Sequence, residues 1–456
     1  MSRRKEIPNL IKKVMLLLVG IQVLLGGIWL VCNLTYMPDF QETRDMLKAS
    51  ETMVFDEYMG VLYPVLLRLC SVFGDGFYVP VYLLQIGLAI GSYYYFLRSI
   101  AGGNFANAEK KYLWLLVGYF VTFPVILQAH MSVLPYSLAT SLLVFMTTEI
   151  KYLIENKEVV QKKRLLTICI LWLFVGLLIP DYGFIALFLV VTGFVWAAWR
   201  QRKKMLLYLG IVVVTFAAIF TTLTLTQTPG SYGRVQRSVN SVLWTRFAWP
   251  HFERDGFYWD HKVWIEFADG EWGWISMYPE NAIYEFGPKI EGVVGKEQAD
   301  VIFGEMAKLS FNMGMKDALK ALGRDVLANV GGPFALQYQL SGKGVSYTGW
   351  NYYQMQGNVP ELTKYFVRFA MYSFDFLFVL TLGIVWSRRK KCKMQDIIKK
   401  AVPALLGLSV MILWYTMIGN GMQDYLKVLP VIFFWCVLPV IGVREFHREE
   451  TESSIE

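Results

Sequence analysis

The feature that most constrains this chain is a series of long apolar runs without a single charged side chain. Four of them are Val14–Cys32, Leu166–Ile179, Met205–Thr226 and Ala401–Ile418. Each approaches the roughly 20 residues that an α-helix needs to cross a bilayer. Only 18% of the 456 residues are charged, whereas a soluble domain has about 25%. This pattern excludes a disordered chain, a coiled coil and an ordinary soluble enzyme, and it predicts a multi-span membrane protein.

Positive charge is concentrated in short segments between the apolar runs. Examples are Lys157–Arg164, Arg200–Lys204 and Arg388–Lys400, together with the basic residues that precede the first run. Such segments stay in the cytoplasm under the positive-inside rule. The net charge of +8 therefore indicates orientation against anionic lipid, and no nucleic-acid partner is expected.

We predict an α-helical polytopic membrane protein with about ten transmembrane helices, a number that follows from hydropathy and charge together. The predicted spans are 14–34, 77–97, 112–129, 131–150, 165–180, 182–199, 205–226, 366–387, 401–418 and 424–443. The first run lacks a small-residue cleavage site, so we interpret it as a retained helix. Both termini then lie in the cytoplasm of a multi-pass cell-membrane protein.

This topology divides the chain into three parts. Residues 1–226 form a first transmembrane module, 227–365 a large extracytoplasmic loop domain, and 366–456 the last helices and a cytoplasmic tail. The loop Thr35–Gly76 also lies outside, and its apolar stretch Met59–Phe73 is too short to span, so it is expected to lie in the interface or to re-enter. Within the large loop, Lys308–Asn329 is predicted to be helical.

The five cysteines have no metal-binding spacing, and none lies between 227 and 365. The sequence therefore predicts neither a disulfide framework nor a zinc site. A more unusual residue is Asp375, an acid near the middle of a predicted span. A charge at that depth is costly, so it indicates a functional role, a wet cavity or a partner on another helix.

The first outer loop is rich in acids that suit proton transfer. Asp39 and Glu42 are three residues apart, so a helix would place them on one face. Carboxylates just above a bilayer can act as general bases on an acceptor hydroxyl. The alternative is that acids simply favour the N-terminus of a helix. Asp56 and Glu57 follow in the same loop.

The segment after these acids carries a recognisable pattern. Leu62-Tyr63-Pro64-Val65-Leu66-Leu67 and Phe73-Gly74, with the acidic loop before them, resemble the first outer loop of GT-C glycosyltransferases of the protein O-mannosyltransferase and aminoarabinose transferase type. The family's first proline is absent, since Val61 and its neighbours stand there. Phe123–Leu138 resembles the family's turn between the third and fourth spans, and Gln423–Pro430 resembles its last outer helix start, without the usual arginine.

The resemblance implies an inverting enzyme that moves a sugar from a polyprenyl-phosphate donor to a glycan, lipid or protein acceptor outside the membrane. It places the catalytic acid in the first outer loop, where Asp39 is the strongest candidate because it directly follows the first span. Glu42, Asp56 and Glu57 are the further candidates. No cofactor is expected, but these oxygen ligands could alternatively hold Mg²⁺ or Mn²⁺.

Donor binding requires cations for the phosphate and apolar or aromatic groups for the sugar and lipid. The candidate phosphate-binding residues are Arg234, Arg237, Arg246 and Lys427, with Arg254 nearby. The candidate sugar or lipid contacts are Tyr63, His130, Tyr136, Trp244 and Trp249. The alternatives are that the arginines balance the acids of their own loop, that the tryptophans form an interface belt, and that a lone histidine is only hydrogen-bonded.

Two other functions fit a chain of this class. One is a lipid-linked polysaccharide polymerase or ligase, which also has a large outer loop between late spans but lacks the acidic first loop. The other is a transporter or flippase, which predicts broken helices in matching halves and intramembrane charges. Of these features, the sequence shows only an intramembrane charge, at Asp375.

Overall fold

The computed structural model describes residues 3–56, 60–100, 107–155, 162–200, 205–228, 240, 243–244, 287–308, 316, 319 and 357–387. This part of the chain is mostly helical, as the apolar runs predict. The predicted spans 401–418 and 424–443 lie outside the described residues, and so does most of 227–365, including nearly all of the predicted helix Lys308–Asn329, of which Lys316 and Leu319 are helical.

The elements before residue 131 are α1 Arg3–Asn33, α2 Gln41–Thr52, β1 Phe55–Asp56, α3 Leu62–Cys70, a 3₁₀ turn Ser71–Gly76, α4 Tyr78–Ile100, α5 Asn107–Val121 and α6 Pro124–His130. The later elements are α7 Tyr136–Glu155, α8 Lys162–Leu178, α9 Pro180–Arg200, α10 Met205–Thr226, β2 Gln227–Thr228, α11 Gly287–Val294, α12 296–308 and α13 Pro360–Ser387.

Among the described residues, one segment is long and apolar enough to cross a membrane by length and composition. It is Lys13–Asn33, within α1. Ala186–Val195 and Leu207–Leu223 are shorter apolar helical segments. Length and composition alone thus single out one candidate span among these residues.

Most predicted spans coincide with observed helices. The span 205–226 has the same bounds as α10. The span 77–97 begins one residue before the first residue of α4. The predicted spans 165–180 and 182–199 place a turn at residue 181. In the structure the turn is at Ile179, because Pro180 is already the first residue of α9. Proline suits the first helical position, where its missing N–H would have no intrahelical acceptor.

The predicted helix 112–129 is wrong as a single helix. α5 ends at Val121 and α6 begins at Pro124, with Phe123 in an extended conformation (φ −62°, ψ 129°). Proline disfavours the helical conformation at the residue before it and lacks an N–H to donate. Gln22 of α1 compensates for the break, since its Nε2 donates to the carbonyl oxygen of Thr122 at 3.0 Å. The next helix consequently starts at Tyr136, five residues later than the predicted 131.

The helices pack into a bundle with two opposite ends. The end called the acidic end here comprises the C-terminus of α1, α2, α3, the N-terminus of α4 and the turn between α6 and α7. The basic end comprises the C-terminal parts of α4 and α7 and the N-terminus of α8, which carries Lys162, Lys163 and Arg164. Hydrogen bonds of Tyr78 to Thr35 and of Tyr95 to Glu149 mark the two ends along α4.

Both ends of the segment between α10 and α13 attach to the acidic end. β2, which directly follows α10, pairs in parallel with β1, so that Phe55 faces Gln227. Before α13, the backbone N–H of Asn358 donates to Asn33 Oδ1 at 2.7 Å. Within α13, Thr363 Oγ1 accepts from Trp29 Nε1 at 2.7 Å. The chain therefore leaves and re-enters the bundle beside the acidic loop.

Candidate functional site

Asp39 lies on the surface of the acidic end, just before α2. Its carboxylate is bound by the guanidinium group of Arg44, with Nε donating to Oδ1 at 2.8 Å and Nη2 donating to Oδ2. Both side chains are 62% exposed. The hydrogen bonds from Arg44 lower the pKa of Asp39 below its usual value. Both oxygens of this carboxylate are therefore already hydrogen-bonded to a cation.

Glu42 lies one turn further on and points inward. The hydroxyl of Tyr136, at the start of α7, donates to Glu42 Oε2 at 3.0 Å. Glu42 is half-buried and Tyr136 is buried. Because these residues are 94 positions apart in the chain, this contact joins the acidic loop to the α6–α7 turn.

His130 is the last residue of α6 and directly precedes the turn that leads to Tyr136. Its Nδ1 is 2.6 Å from Ser137 Oγ, and its carbonyl oxygen accepts from Gln85 Nε2 at 2.8 Å. Gln85 Oε1 in turn accepts from the hydroxyl of Tyr63 at 3.4 Å. Complete burial lowers the pKa of His130 to about 3, so its ring is neutral at physiological pH.

These side chains form two hydrogen-bonded groups that meet at the adjacent residues Tyr136 and Ser137, and together we call them the polar layer. Its members are Glu42, Tyr63, Gln85, His130, Tyr136 and Ser137. The chain builds it from the acidic loop, α3, α4, the end of α6 and the start of α7. Four of the six members are residues that the sequence picked out as candidate catalytic or sugar-binding groups.

Several buried polar atoms near this end have no hydrogen-bond partner among the described residues. They are His130 Nε2, both side-chain polar atoms of Gln128, and Thr43 Oγ1. An unsatisfied buried donor or acceptor costs about 1–3 kcal/mol. Native proteins rarely tolerate that cost without a water, an ion or a ligand at the position. The interior beside the polar layer therefore retains unused hydrogen-bonding capacity.

Trp244 lies in a different cluster from the polar layer. It is 1% exposed and stacks on Phe303 of α12, with ring centroids 4.4 Å apart. Nearby, Asn240 Nδ2 donates to Asp300 Oδ2 at 2.9 Å. The indole is thus covered by protein in this structure.

The remaining candidates fall outside the described residues. They are Glu57, Arg234, Arg237, Arg246, Trp249 and Lys427, together with the side chain of Asp56. Asp56 is placed through its backbone, which pairs with Thr228 in the two-stranded sheet. Asp375 is likewise placed only through its backbone in α13, next to Phe374, which contacts Phe123 at the α5–α6 break with ring centroids 5.4 Å apart.

No group of three or more histidine, cysteine, aspartate or glutamate side chains suited to a metal ion occurs in the described part of the chain. Asp39 is engaged by Arg44, and Glu42 accepts from Tyr136. The Mg²⁺ or Mn²⁺ alternative therefore depends on Asp56 and Glu57, whose side chains are not described.

Sequence reasoning missed three residues of this end: Arg44, Gln85 and Ser137. Arg44 stands five residues after Asp39, which is not one of the three- or four-residue spacings at which helical side chains pair, so its spacing gave no signal. Gln85 is an uncharged polar residue inside an apolar run, and Ser137 is a small one in a turn. Neither type is distinctive without the fold.

No protein-family model matches the chain, and neither does any curated protein or solved structure. The resemblance to GT-C glycosyltransferases therefore depends on the short motifs quoted above and on what their residues do in the fold.

Proposed function

We propose that this chain is a multi-span membrane glycosyltransferase of the GT-C type. It moves a sugar from a polyprenyl-phosphate donor to a hydroxyl of a cell-envelope glycan, a lipid or a protein on the outer face. The observation that carries the proposal is the polar layer. It brings Glu42, Tyr63, His130 and Tyr136 together from distant parts of the sequence.

The exposed surface of the bundle supports its placement in a membrane. Leu17, Leu24 and Val31 follow one another at intervals of seven along α1, and all are more than 60% exposed. Similar apolar side chains stand exposed along α4, α8, α10 and α13, including Leu83, Leu166, Val214, Leu225 and Val379. Extended apolar faces of this kind are rare on a protein surrounded by water. In a bilayer they contact lipid tails.

The charge distribution supports an outer location for the polar layer. The basic end carries Lys162, Lys163 and Arg164 and would lie in the cytoplasm. A cysteine-free variant with a single cysteine at exposed Lys48 should react with a membrane-impermeant maleimide in intact cells. The matched variant with a cysteine at exposed Lys163 should react only after lysis. The opposite pattern would overturn the orientation.

The proposed reaction needs one base and a stabilised leaving group. The acceptor oxygen attacks the sugar's C1, and the C1–O bond to phosphate breaks with its electron pair remaining on the phosphate. The acceptor's proton passes to a carboxylate of the protein. The polyprenyl phosphate leaves without a general acid, because cations such as Arg234, Arg237 or Arg246 offset its charge.

The geometry favours Glu42 over Asp39 as that base. Asp39 is exposed and bound through both oxygens by Arg44, whereas Glu42 is half-buried and belongs to the polar layer, which also contains His130 with its buried Nε2. Comparing Asp39→Asn with Glu42→Gln separates the two roles. The variant that loses turnover while retaining donor binding identifies the base.

The decisive experiment is transfer by the purified protein in proteoliposomes. A panel of labelled polyprenyl-phosphate sugars is supplied, and the release of polyprenyl phosphate is measured with and without candidate acceptors. Release by the wild type and loss in a combined Asp39→Asn, Glu42→Gln variant would support the enzyme. Absence of release with every donor in the panel would reject it. Addition of EDTA in the same assay tests the metal alternative.

A transporter is the second candidate because α5 and α6 are separated by a break inside a predicted span. Broken helices often line transport sites. This function predicts that labelled lipid-linked sugar crosses the vesicle membrane intact. Measuring whether the sugar–phosphate bond is cleaved distinguishes it from the glycosyltransferase.

A further inference from the structure

Tyr136 is a buried residue at the start of α7. Its ring packs beside Tyr182 of α9 at a centroid distance of 6.1 Å, and its carbonyl oxygen accepts from Thr140 Oγ1 at 2.7 Å. The adjacent Ser137 is fixed by His130 at 2.6 Å. A phenol supported in this way loses little further freedom when it hydrogen-bonds a neighbour.

The target of that hydroxyl is one oxygen of Glu42. Tyr136 donates to Oε2 at 3.0 Å, which orients the carboxylate. Hydrogen bonds to the ionised form of a carboxylate favour that form. Tyr136 thus orients the carboxylate of Glu42, and a fixed orientation toward the proton donor is what a general base requires.

We infer that Tyr136 is a positioning residue for the base Glu42, acting through its hydroxyl and not by contact with the sugar. This inference depends on the glycosyltransferase function proposed above. In the reaction, the acceptor's proton goes to Glu42 as the sugar's C1 bonds to the acceptor oxygen and the phosphate departs with the C1–O electron pair. Tyr136 exchanges no proton and retains its hydrogen bond to Oε2.

The test is the pH dependence of sugar transfer by Tyr136→Phe, which removes only the hydroxyl. Without that hydrogen bond Glu42 takes up a proton more readily. The acidic limb of the kcat/KM profile should therefore move to higher pH by about one unit, a tenfold change in the proton affinity of the base. The KM for the polyprenyl-phosphate sugar should change less than twofold. A sugar contact would raise KM instead and leave the limb where it is.

Tyr95→Phe is the matched control, because Tyr95 also donates to a glutamate, Glu149, at the opposite end of α7. It should leave the pH profile unchanged. Glu42→Asp provides a second route, since its shorter side chain draws the carboxylate away from Tyr136 and should shift the same limb. Tyr136→Phe added to Glu42→Gln should cause no further loss of kcat.

The outcomes separate the two proposals. If the wild type transfers sugar while Tyr136→Phe and Glu42→Asp both keep the wild-type limb, the positioning role is overturned and the enzyme stands. If the wild type cleaves no polyprenyl-phosphate sugar, the proposed function fails and this inference falls with it.

Discussion

Helix α7 takes part in a tyrosine–glutamate hydrogen bond at each of its two ends, and the surroundings of the two bonds differ. At the basic end, Glu149 Oε1 accepts from Tyr95 at 2.5 Å and Oε2 accepts from Arg164 at 2.7 Å. At the acidic end, Glu42 Oε2 accepts from Tyr136 at 3.0 Å. The same pair of residue types is therefore used in two settings.

At the basic end, the polar side chains around Glu149 are hydrogen-bonded. Lys151 Nζ donates to the carbonyl oxygen of Ser99 at 2.9 Å, and the guanidinium of Arg164 lies 4.5 Å from the ring centroid of Tyr152. Beside the acidic end, His130 Nε2 and Gln128 have buried polar atoms without partners among the described residues. A completed cluster stabilises helix ends, whereas unused hydrogen-bonding capacity is typical of a site that receives a ligand.

The largest predicted effect is on catalysis at the acidic end. Glu42→Gln keeps the shape of the side chain and removes the base, so sugar transfer should fall by about 10²–10⁴-fold. Glu149→Gln, the same substitution at the basic end, should leave transfer within about twofold, because that cluster takes no part in the reaction. Initial rates in proteoliposomes measure both. Equal losses in the two variants would show that the ends do not differ in function.

The sequence predicted the helices well, and four of the residues it singled out lie in the polar layer. Long uncharged runs identified α1, α4 and α8 to α10, because an apolar run of that length is a strong signal of a helix. The α5–α6 break was missed, although Pro124 marks it, because hydropathy does not register backbone geometry. Asp39 stood out by its position after the first span, but its pairing with Arg44 and the inward direction of Glu42 follow from tertiary contacts.

The second prediction concerns stability at the basic end. Arg164→Met should lower the free energy of unfolding by about 2–3 kcal/mol, since it leaves the largely buried Glu149 without its ion-pair partner. The change should be visible as a lower Tm of the purified protein in detergent. Sugar transfer at 25 °C should be close to that of the wild type. A variant with wild-type Tm would show that the basic end is not a stabilising cluster.

The third prediction tests how tightly the acidic end is packed. A Cβ atom at Gly60 would overlap the backbone carbonyl oxygens of Leu177 and Leu178 at the α8–α9 turn. Gly60→Ala should therefore destabilise the protein by about 1–3 kcal/mol through overpacking. Gly87→Ala in α4 is the control, because a Cβ there meets no atom within 4 Å. If the two variants have equal Tm values, the loop does not pack on α8 as described.

The smallest effect is expected at the exposed Asp39–Arg44 pair. Arg44 lowers the pKa of Asp39 from 3.8 in the folded protein, so the pair stabilises the fold above the unfolded pKa and stops doing so as the pH falls through the folded one. Arg44→Gln should lower Tm slightly at pH 7, and the difference should vanish well below pH 3.8. Lys48→Gln removes the same charge from α2 without breaking this pair and should show no such pH dependence. Because both side chains are 62% exposed, solvent screens their attraction. A Tm loss at pH 7 as large as that of Arg164→Met would mean that Asp39 is held as firmly as Glu149, and the preference for Glu42 as the base would lose its support.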